Sequence, residues 1–568
     1  MKVGARMTRL NLALVGWGLV TVAVSIGLVA LVHIGPCEGR HCGPLLVLGW
    51  REGRVVARMQ HVQDTGGDRG AALAMRRARQ AWAGTSPEPT HITLHRVQGT
   101  GWLPRFHPLV SAMSVVPWVD GLAVTRGAHT TYYTPQELMT FPRAYTSMQT
   151  PIPDLSVGYD VDALISRSVD EGGHGRARVR RFRAQLIAEH EYPRRVTVNA
   201  ETLRQSAEEG ARFLLRHMSG DGRFSYVYNA QHDRVEELPY NLPRHSGVAY
   251  FLAEMGHLLH WPEAREASLR ALRWTREHHI RSCGSESRWC VEYFGYVDLG
   301  SAALTLLHAA EILRGGHDPL AREVIERVAE FLRYMQRDDG EFRHEYNVVE
   351  QRPVDVQYLY YTGEAALALF RAYDVTRNVA DLDAARRALR FLTVGSWDFF
   401  GSRYYYGEEH WTCQAALEAS RWYAVPEALD FCLRWASYSR ALQYQPRETL
   451  WPVAGAYGAG NLIPPRFTPV GSRTEAFVAT YKLAQAYGRA TPELKRQIEQ
   501  GLRLLMSYQW LPGPDFLFKS PERARGGMPG SPTELVVRND YVQHAGSAMI
   551  QWWLVLPPRA PTPASAPR

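Results

Sequence analysis

From Asn199 to Pro557 the chain alternates between two hydrophobic patterns. One is one-sided: Leu203, Ala207, Ala211, Leu214, Leu215 and Met218 recur at three- and four-residue steps, as on a helix with one buried face. The same pattern returns after Asp318-Pro319 through Val324, Ile325, Val328, Leu332 and Met335, and over about 263–278, 381–393, 426–439 and 492–507. The other is apolar on every side, as in Ala302 to Ala310, and predicts helices buried all round.

The all-round helices share a start pattern: Ser246-Gly247-Val248-Ala249, Leu299-Gly300-Ser301-Ala302, Thr362-Gly363-Glu364-Ala365, Thr412-Cys413-Gln414-Ala415, Arg473-Thr474-Glu475-Ala476 and Ala545-Gly546-Ser547-Ala548. A small or modest residue fills the second slot and Ala the fourth. The copies lie roughly 50–70 residues apart, at and beyond the upper end of helical repeat lengths. Six pairs of this kind predict a mainly α fold, an (α/α)6 toroid, with the patterned helices inside and a cup at one end.

Before the toroid, strands over 53–60 and 91–98, a helix over 70–82 and a hairpin over 119–133 with its turn near Arg126-Gly127 predict a small α+β domain at 44–153. Thr134-Pro135-Gln136-Glu137 is a helix start. Residues 154–198, with the Arg-rich run 171–181, are expected to be an exposed linker. The toroid is expected over 199–556, and 557–568 is a disordered tail by composition.

Leu10 to Ile34 is apolar and long enough to span a bilayer, and Lys2, Arg6 and Arg9 precede it. We expect a cytoplasmic tail (1–9), an uncleaved transmembrane anchor (10–34) and a periplasmic or extracellular globular part. A cleaved signal peptide is the alternative. The six cysteines suit export, and proximity pairs Cys37–Cys42, Cys283–Cys290 and Cys413–Cys432. Without a C-x-x-C, no metal site or cofactor is expected. The net charge of +8 comes from arginines scattered among acids, with lysine only at positions 2, 482, 495 and 519, so nucleic acid is not an expected partner.

Met218 to Asn229, with Asp221-Gly222-Arg223-Phe224, matches Met335 to Asn347, with Asp339-Gly340-Glu341-Phe342. This D-G-x-F turn resembles the D-G-x-W turn of terpenoid-cyclase-type toroids. The ring as a whole resembles the α/α-toroid superfamily, which includes six-hairpin glycosidases, polysaccharide lyases and the C-terminal domains of glucuronyl C5-epimerases. No D-x-D-D lies in the ring, which argues against cyclase chemistry.

In such a ring the loops entering the inner helices gather at one mouth. They carry Tyr240, Asn241, Arg244 and His245; Tyr293; Asp355, Tyr358, Tyr360 and Tyr361; Tyr406, Glu408, Glu409, His410 and Trp411; Arg466, Ser472 and Arg473; and Arg538, Asp540, Tyr541 and His544. Aromatic faces with acids and arginines suit a sugar. Asp355, Glu408, Glu409 and Asp540 are the expected carboxylates for hydrolysis, which needs two across the scissile bond. His245 and His544, two residues before the small slot, are the expected bases for a lyase or uronate epimerase. Tyr240, Arg244, Tyr293, Tyr358, Tyr360, Tyr406, His410, Trp411, Arg473 and Tyr541 are the expected substrate contacts. Glu364 and Glu475 share one register at helix N-termini, where the helix dipole alone favours a carboxylate. The expectation is a membrane-anchored, exported carbohydrate-active protein acting on an envelope or extracellular polysaccharide as hydrolase, lyase or epimerase. The alternative is a non-catalytic glycan-binding or polysaccharide export and assembly protein.

Overall fold

The computed structural model describes residues 43–61, 67–116, 118–141, 159–170, 174–187, 191–236, 238–395, 410–446, 452–458 and 465–556. The predicted anchor, the Cys37–Cys42 pair and the C-terminal tail lie outside them. Among the described residues no helix is long and apolar enough to cross a membrane. The chain forms two compact units, Met1–Glu191 and Tyr192–Arg568.

The first unit is an antiparallel sheet of six strands: β1 (Leu45–Arg51), β2 (Arg54–His61), β3 (His91–Trp102), β4 (Asp120–Arg126), β5 (His129–Tyr133) and β6 (Ala177–Ile187), in the order β2-β1-β3-β6-β4-β5. The helix Gly67–Trp82 buries Ala71, Ala74 and Ala78 against Leu45, Val47 and Leu94. The predicted β4–β5 hairpin and the Thr134 cap are both present, the cap accepting from the Glu137 backbone N–H. One expectation is corrected. The Arg-rich stretch is no exposed linker, because β6 sits inside the sheet between β3 and β4. Arg178 and Arg180 reach solvent, but Arg181 is buried and donates to the carbonyls of Trp102 and Ser114 and to Asp120. An arginine can sit inside a sheet when every donor it buries finds an acceptor.

Among the described residues of the second unit twelve long helices run in order: α1 (Ala200–Arg216), α2 (Leu242–Leu258), α3 (Pro262–His278), α4 (Leu299–Arg314), α5 (Pro319–Met335), α6 (Tyr361–Thr376), α7 (Val379–Arg390), α8 (His410–Ala419), α9 (Pro426–Ala441), α10 (Thr468–Ala486), α11 (Pro492–Tyr508) and α12 (Asn539–Trp553). Even-numbered helices pack on one another in sequence, and α12 returns to pack on α2. The ring is therefore closed, with the odd-numbered helices outside. In α4 every residue from Leu299 to Ile312 is buried, whereas α5 buries one face, its predicted stripe together with Ala321, Ala329 and Phe331.

The start pattern has a packing cause. A Cβ on Gly300 would lie 2.5 Å from the Tyr361 ring, one on Gly363 would lie 3.1 Å from Trp411 Cβ, and one on Gly546 would enter the Phe251 ring. These three glycines are where the next inner helix crosses. All six fourth-slot alanines are fully buried. Side chains begin each turn: Asn199, Asn241, Asp298, Asp318 and Asn378 cap α1, α2, α4, α5 and α7. Each such cap is worth about 1 kcal/mol.

Two small sheets lie among the loops entering the helices. One joins β7 (Val227–Asn229), β8 (Arg234–Val235) and β14 (Val536–Arg538). The other runs β13-β12-β11-β10-β9, from β9 (Ile280–Ser282), β10 (Trp289–Tyr293), β11 (Tyr296–Asp298), β12 (Glu345–Asn347) and β13 (Arg352–Val354). Cys283–Cys290 and Cys413–Cys432 are bonded as proximity suggested. The second bridge ties α8 to α9.

Candidate active site

A cavity of about 380 Å³ opens at the N-terminal ends of the inner helices. Its walls come from different hairpins: Asn241, Arg244 and Gly247 from the first, Leu304 from α4, Tyr360, Tyr361 and Glu364 from the third, His410 and Trp411 from the fourth, Arg466 and Ser472 from the fifth, and Arg538, Asp540, Gln543 and His544 from the sixth. Ring closure makes these distant segments neighbours.

His544 sits on the first turns of α12. Its Nδ1 lies 2.7 Å from a carboxylate oxygen of Glu475, on the neighbouring α10. Gln543 donates to the other oxygen at 3.4 Å. Burial raises the Glu475 carboxyl and contact with His544 opposes the rise. The His410 ring meets His544 edge to face, with centroids 5.5 Å apart, and Trp411 lies 4.7 Å from His410. Glu364 lies on the same wall. Burial, with repulsion from Asp298, raises its carboxyl well above the usual range and so favours the protonated form; contact with Trp411 and the charge of Arg244 only partly offset this. Its Oε2 has no hydrogen-bond partner.

The rim is cationic. Asp540 is buried, and both of its oxygens are occupied: Arg538 Nε and Nη2 donate at 2.6 and 2.9 Å and Arg244 Nε at 3.0 Å. Burial would raise this carboxyl, but Arg538 and Arg244 outweigh burial and hold it below the usual aspartate value. Arg466 donates to Glu534 at 2.7 Å and to the Tyr541 hydroxyl at 2.7 Å. Among the described residues no group of three or more His, Cys, Asp or Glu is placed to hold a metal.

Of the residues expected from the sequence, Arg244, Tyr360, His410, Trp411, Asp540 and His544 meet in this cavity. Glu408, Glu409 and Tyr406 lie outside the described residues. The rest are placed elsewhere. His245 is fully buried: Nδ1 faces the Tyr240 hydroxyl at 2.8 Å and Nε2 faces Thr275 Oγ1 at 3.0 Å. Burial lowers its pKa to about 3, leaving a neutral packing residue. Tyr240 is spent on His245 and on the Phe224 N–H. Asp355 is exposed and paired with Arg337 at 3.4 Å. Tyr293 stands on the five-stranded sheet, and Tyr358 stands beside it next to the wall residue Tyr361 without lining the cavity itself. Arg473 lies over Tyr457, and Tyr541 is buried beneath Arg466. Of the two carboxyls whose register was explicable by the helix dipole alone, Glu475 is the one the ring brings to His544, and Glu364 lines the cavity with that histidine.

No protein-family model matches the chain. No curated protein matches it at significance either. Among solved structures the chain is similar to a D-mannose isomerase (12% identity, TM-score 0.49, covering 64% of this chain and 99% of that one). It is also similar to cellobiose 2-epimerase from Bacillus thermoamylovorans (10%, 0.49, 63% and 99%) and to an unsaturated glucuronyl hydrolase specific for heparin (11%, 0.45, 63% and 98%).

Proposed function

We propose that the protein is an enzyme that moves a proton at the carbon next to a uronate carboxylate, as an epimerase or an eliminating lyase of an acidic saccharide. The observation that carries this reading is that His544, whose Nδ1 lies 2.7 Å from Glu475, lines the same cavity as the buried carboxyl of Glu364. Glu475 orients the imidazole, and we assign the His544 ring as the base that takes the proton. Glu364 is the group able to give one back, either to the carbon or to a leaving oxygen. Two titratable groups whose surroundings push them to opposite roles are the pattern of an acid–base pair. Arg244, Arg466 and Arg538 supply the cationic rim that a carboxylate substrate needs.

Hydrolysis is less well supported. Asp540 is ionised and fully bonded, and Asp355 stands exposed outside the cavity, paired with Arg337. We place the reaction outside the cytoplasm and the protein on a membrane through Leu10 to Ile34. The two disulfides support the oxidising compartment.

The test is incubation of the full-length protein with alginate or polygalacturonate in heavy water. Deuterium uptake at C5 supports epimerisation, and a new C4–C5 double bond supports elimination. New reducing ends with neither change would make it a hydrolase. Binding without any of the three would make it a glycan-binding protein.

A further inference from the structure

The β10–β11 hairpin turns through Phe294-Gly295, with φ of 52° and 76°. Both central residues are therefore left-handed, a geometry that favours Asn-Gly and penalises a bulky side chain. Phe294 is also 88% exposed. The fold thus carries a phenylalanine that is unfavourable both for its backbone and for its contact with water. Outliers of this kind cluster at sites that hold ligands.

The hairpin's place gives the ligand. Tyr293 and Tyr296 face one another across the two strands, and the Tyr293 and Phe294 rings are 4.4 Å apart. The Tyr296 hydroxyl lies 3.0 Å from that of Tyr358, and both share the Glu345 carboxylate. The Tyr358 ring lies 5.0 Å from Tyr361, and Tyr361 lies 5.5 Å from Tyr360. Tyr360 and Tyr361 line the cavity. Aromatic residues linked by ring contacts, one hydroxyl pair and one strand pairing therefore lead from the cavity to the hairpin tip, with Tyr296, Tyr358 and Tyr360 each 37–42% exposed. The tip does not float. Cys290, in β10, is bonded to Cys283, and Asp298, which ends β11, caps α4 by accepting from the Ser301 N–H at 2.7 Å.

We propose that this hairpin is an outer subsite for the same saccharide chain whose reacting unit occupies the cavity, with Phe294 stacked on a pyranose ring and the Tyr296–Glu345–Tyr358 cluster bonding its hydroxyls. The substrate is then a polymer or long oligosaccharide. This rests on the acidic-saccharide reading above. Rings that present C–H-binding faces next to hydroxyls and a carboxylate suit a sugar. A rigid mount means that little freedom is lost on binding.

The decisive variant is Phe294→Asn in the full-length protein. Asparagine suits the left-handed turn, so thermal stability is expected to hold or rise. Calorimetry with size-fractionated alginate and polygalacturonate oligomers, from dimer to polymer, reads affinity. Long chains should lose roughly fivefold to tenfold in affinity, and the dimer should lose nothing. Tyr296→Ala should repeat the pattern. Equal loss at every length, or no loss at any, overturns the subsite while leaving the cavity reading in place. Wild-type protein that binds none of these saccharides overturns both. A wild-type dimer that Phe294→Asn dissociates would assign the tip to a second copy of the chain and overturn the saccharide.

Discussion

His544 and Glu475 sit on adjacent inner helices, 69 positions apart in sequence, with Nδ1 and Oε2 separated by 2.7 Å. On the proposed reading, the carboxylate orients the imidazole and stabilises the ring when it takes a proton. Glu475→Gln keeps the shape and removes the charge. Turnover should fall about 10²-fold, within the usual range for acid–base catalysis, with KM little changed. An unchanged kcat would show that the contact serves packing only.

Ring closure predicts a stability effect at one glycine. In a helix, Gly→Ala gains up to about 1 kcal/mol. At Gly546 the new methyl would enter the Phe251 ring, which is fully buried on α2, and overpacking costs about 1–3 kcal/mol. Gly546→Ala should therefore lower the denaturation midpoint. Adding Phe251→Leu should recover part of the loss, whereas simple additivity would place the two residues out of contact.

The ring was legible in the sequence because crowding between inner helices writes itself as a repeated small residue and alanine. The cavity was only half legible. His245 and His544 occupy the same register, yet Tyr240, Thr275 and Trp274 enclose one while Glu475 reaches the other. Their fates depend on what the neighbouring helix presents, which no local spacing encodes. Glu364 was masked by a sound local argument, since any helix start favours an acid. Its burial, which favours the protonated form, is a property of the closed ring. The opposite error occurred at β6, where alternating arginines read as solvated although Arg181 has buried acceptors waiting.

At the other end of the inner ring a second cavity, of about 330 Å³, holds Glu254 and Lys482, bridged by the side chain of Gln551. Burial, with repulsion from Glu311, raises Glu254 to about 7. A carboxyl raised in the folded state keeps its proton between about pH 4.5 and 7 while the unfolded chain loses it, so wild-type stability falls as pH rises through that window. Glu254→Gln removes this loss. Relative to wild type, it should gain up to about 3 kcal/mol between about pH 4.5 and pH 7.5, read from paired denaturation curves. A constant difference across the window would mean that Glu254 titrates normally.

Asp540 gives the opposite sign. Arg538 and Arg244 hold its carboxyl below the ordinary 3.8, so its share of stability is present above that value and is lost as pH falls through the lower folded value. Asp540→Asn leaves two guanidiniums without their shared anion. Both arginine side chains are partly exposed, at 30% for Arg244 and 23% for Arg538, so water offsets much of the loss. The cost at neutral pH should be about 1–2 kcal/mol, between the values for surface and buried pairs. Because protonation does to the wild type what the amide does permanently, the two proteins should converge in stability below the ordinary aspartate range. The freed arginines should also lose their fixed aim, so the variant should turn over an acidic saccharide more slowly even where it binds it as well. A variant that stays equally destabilised at low pH would show that the amide fails for shape, and the electrostatic account of the rim would fall.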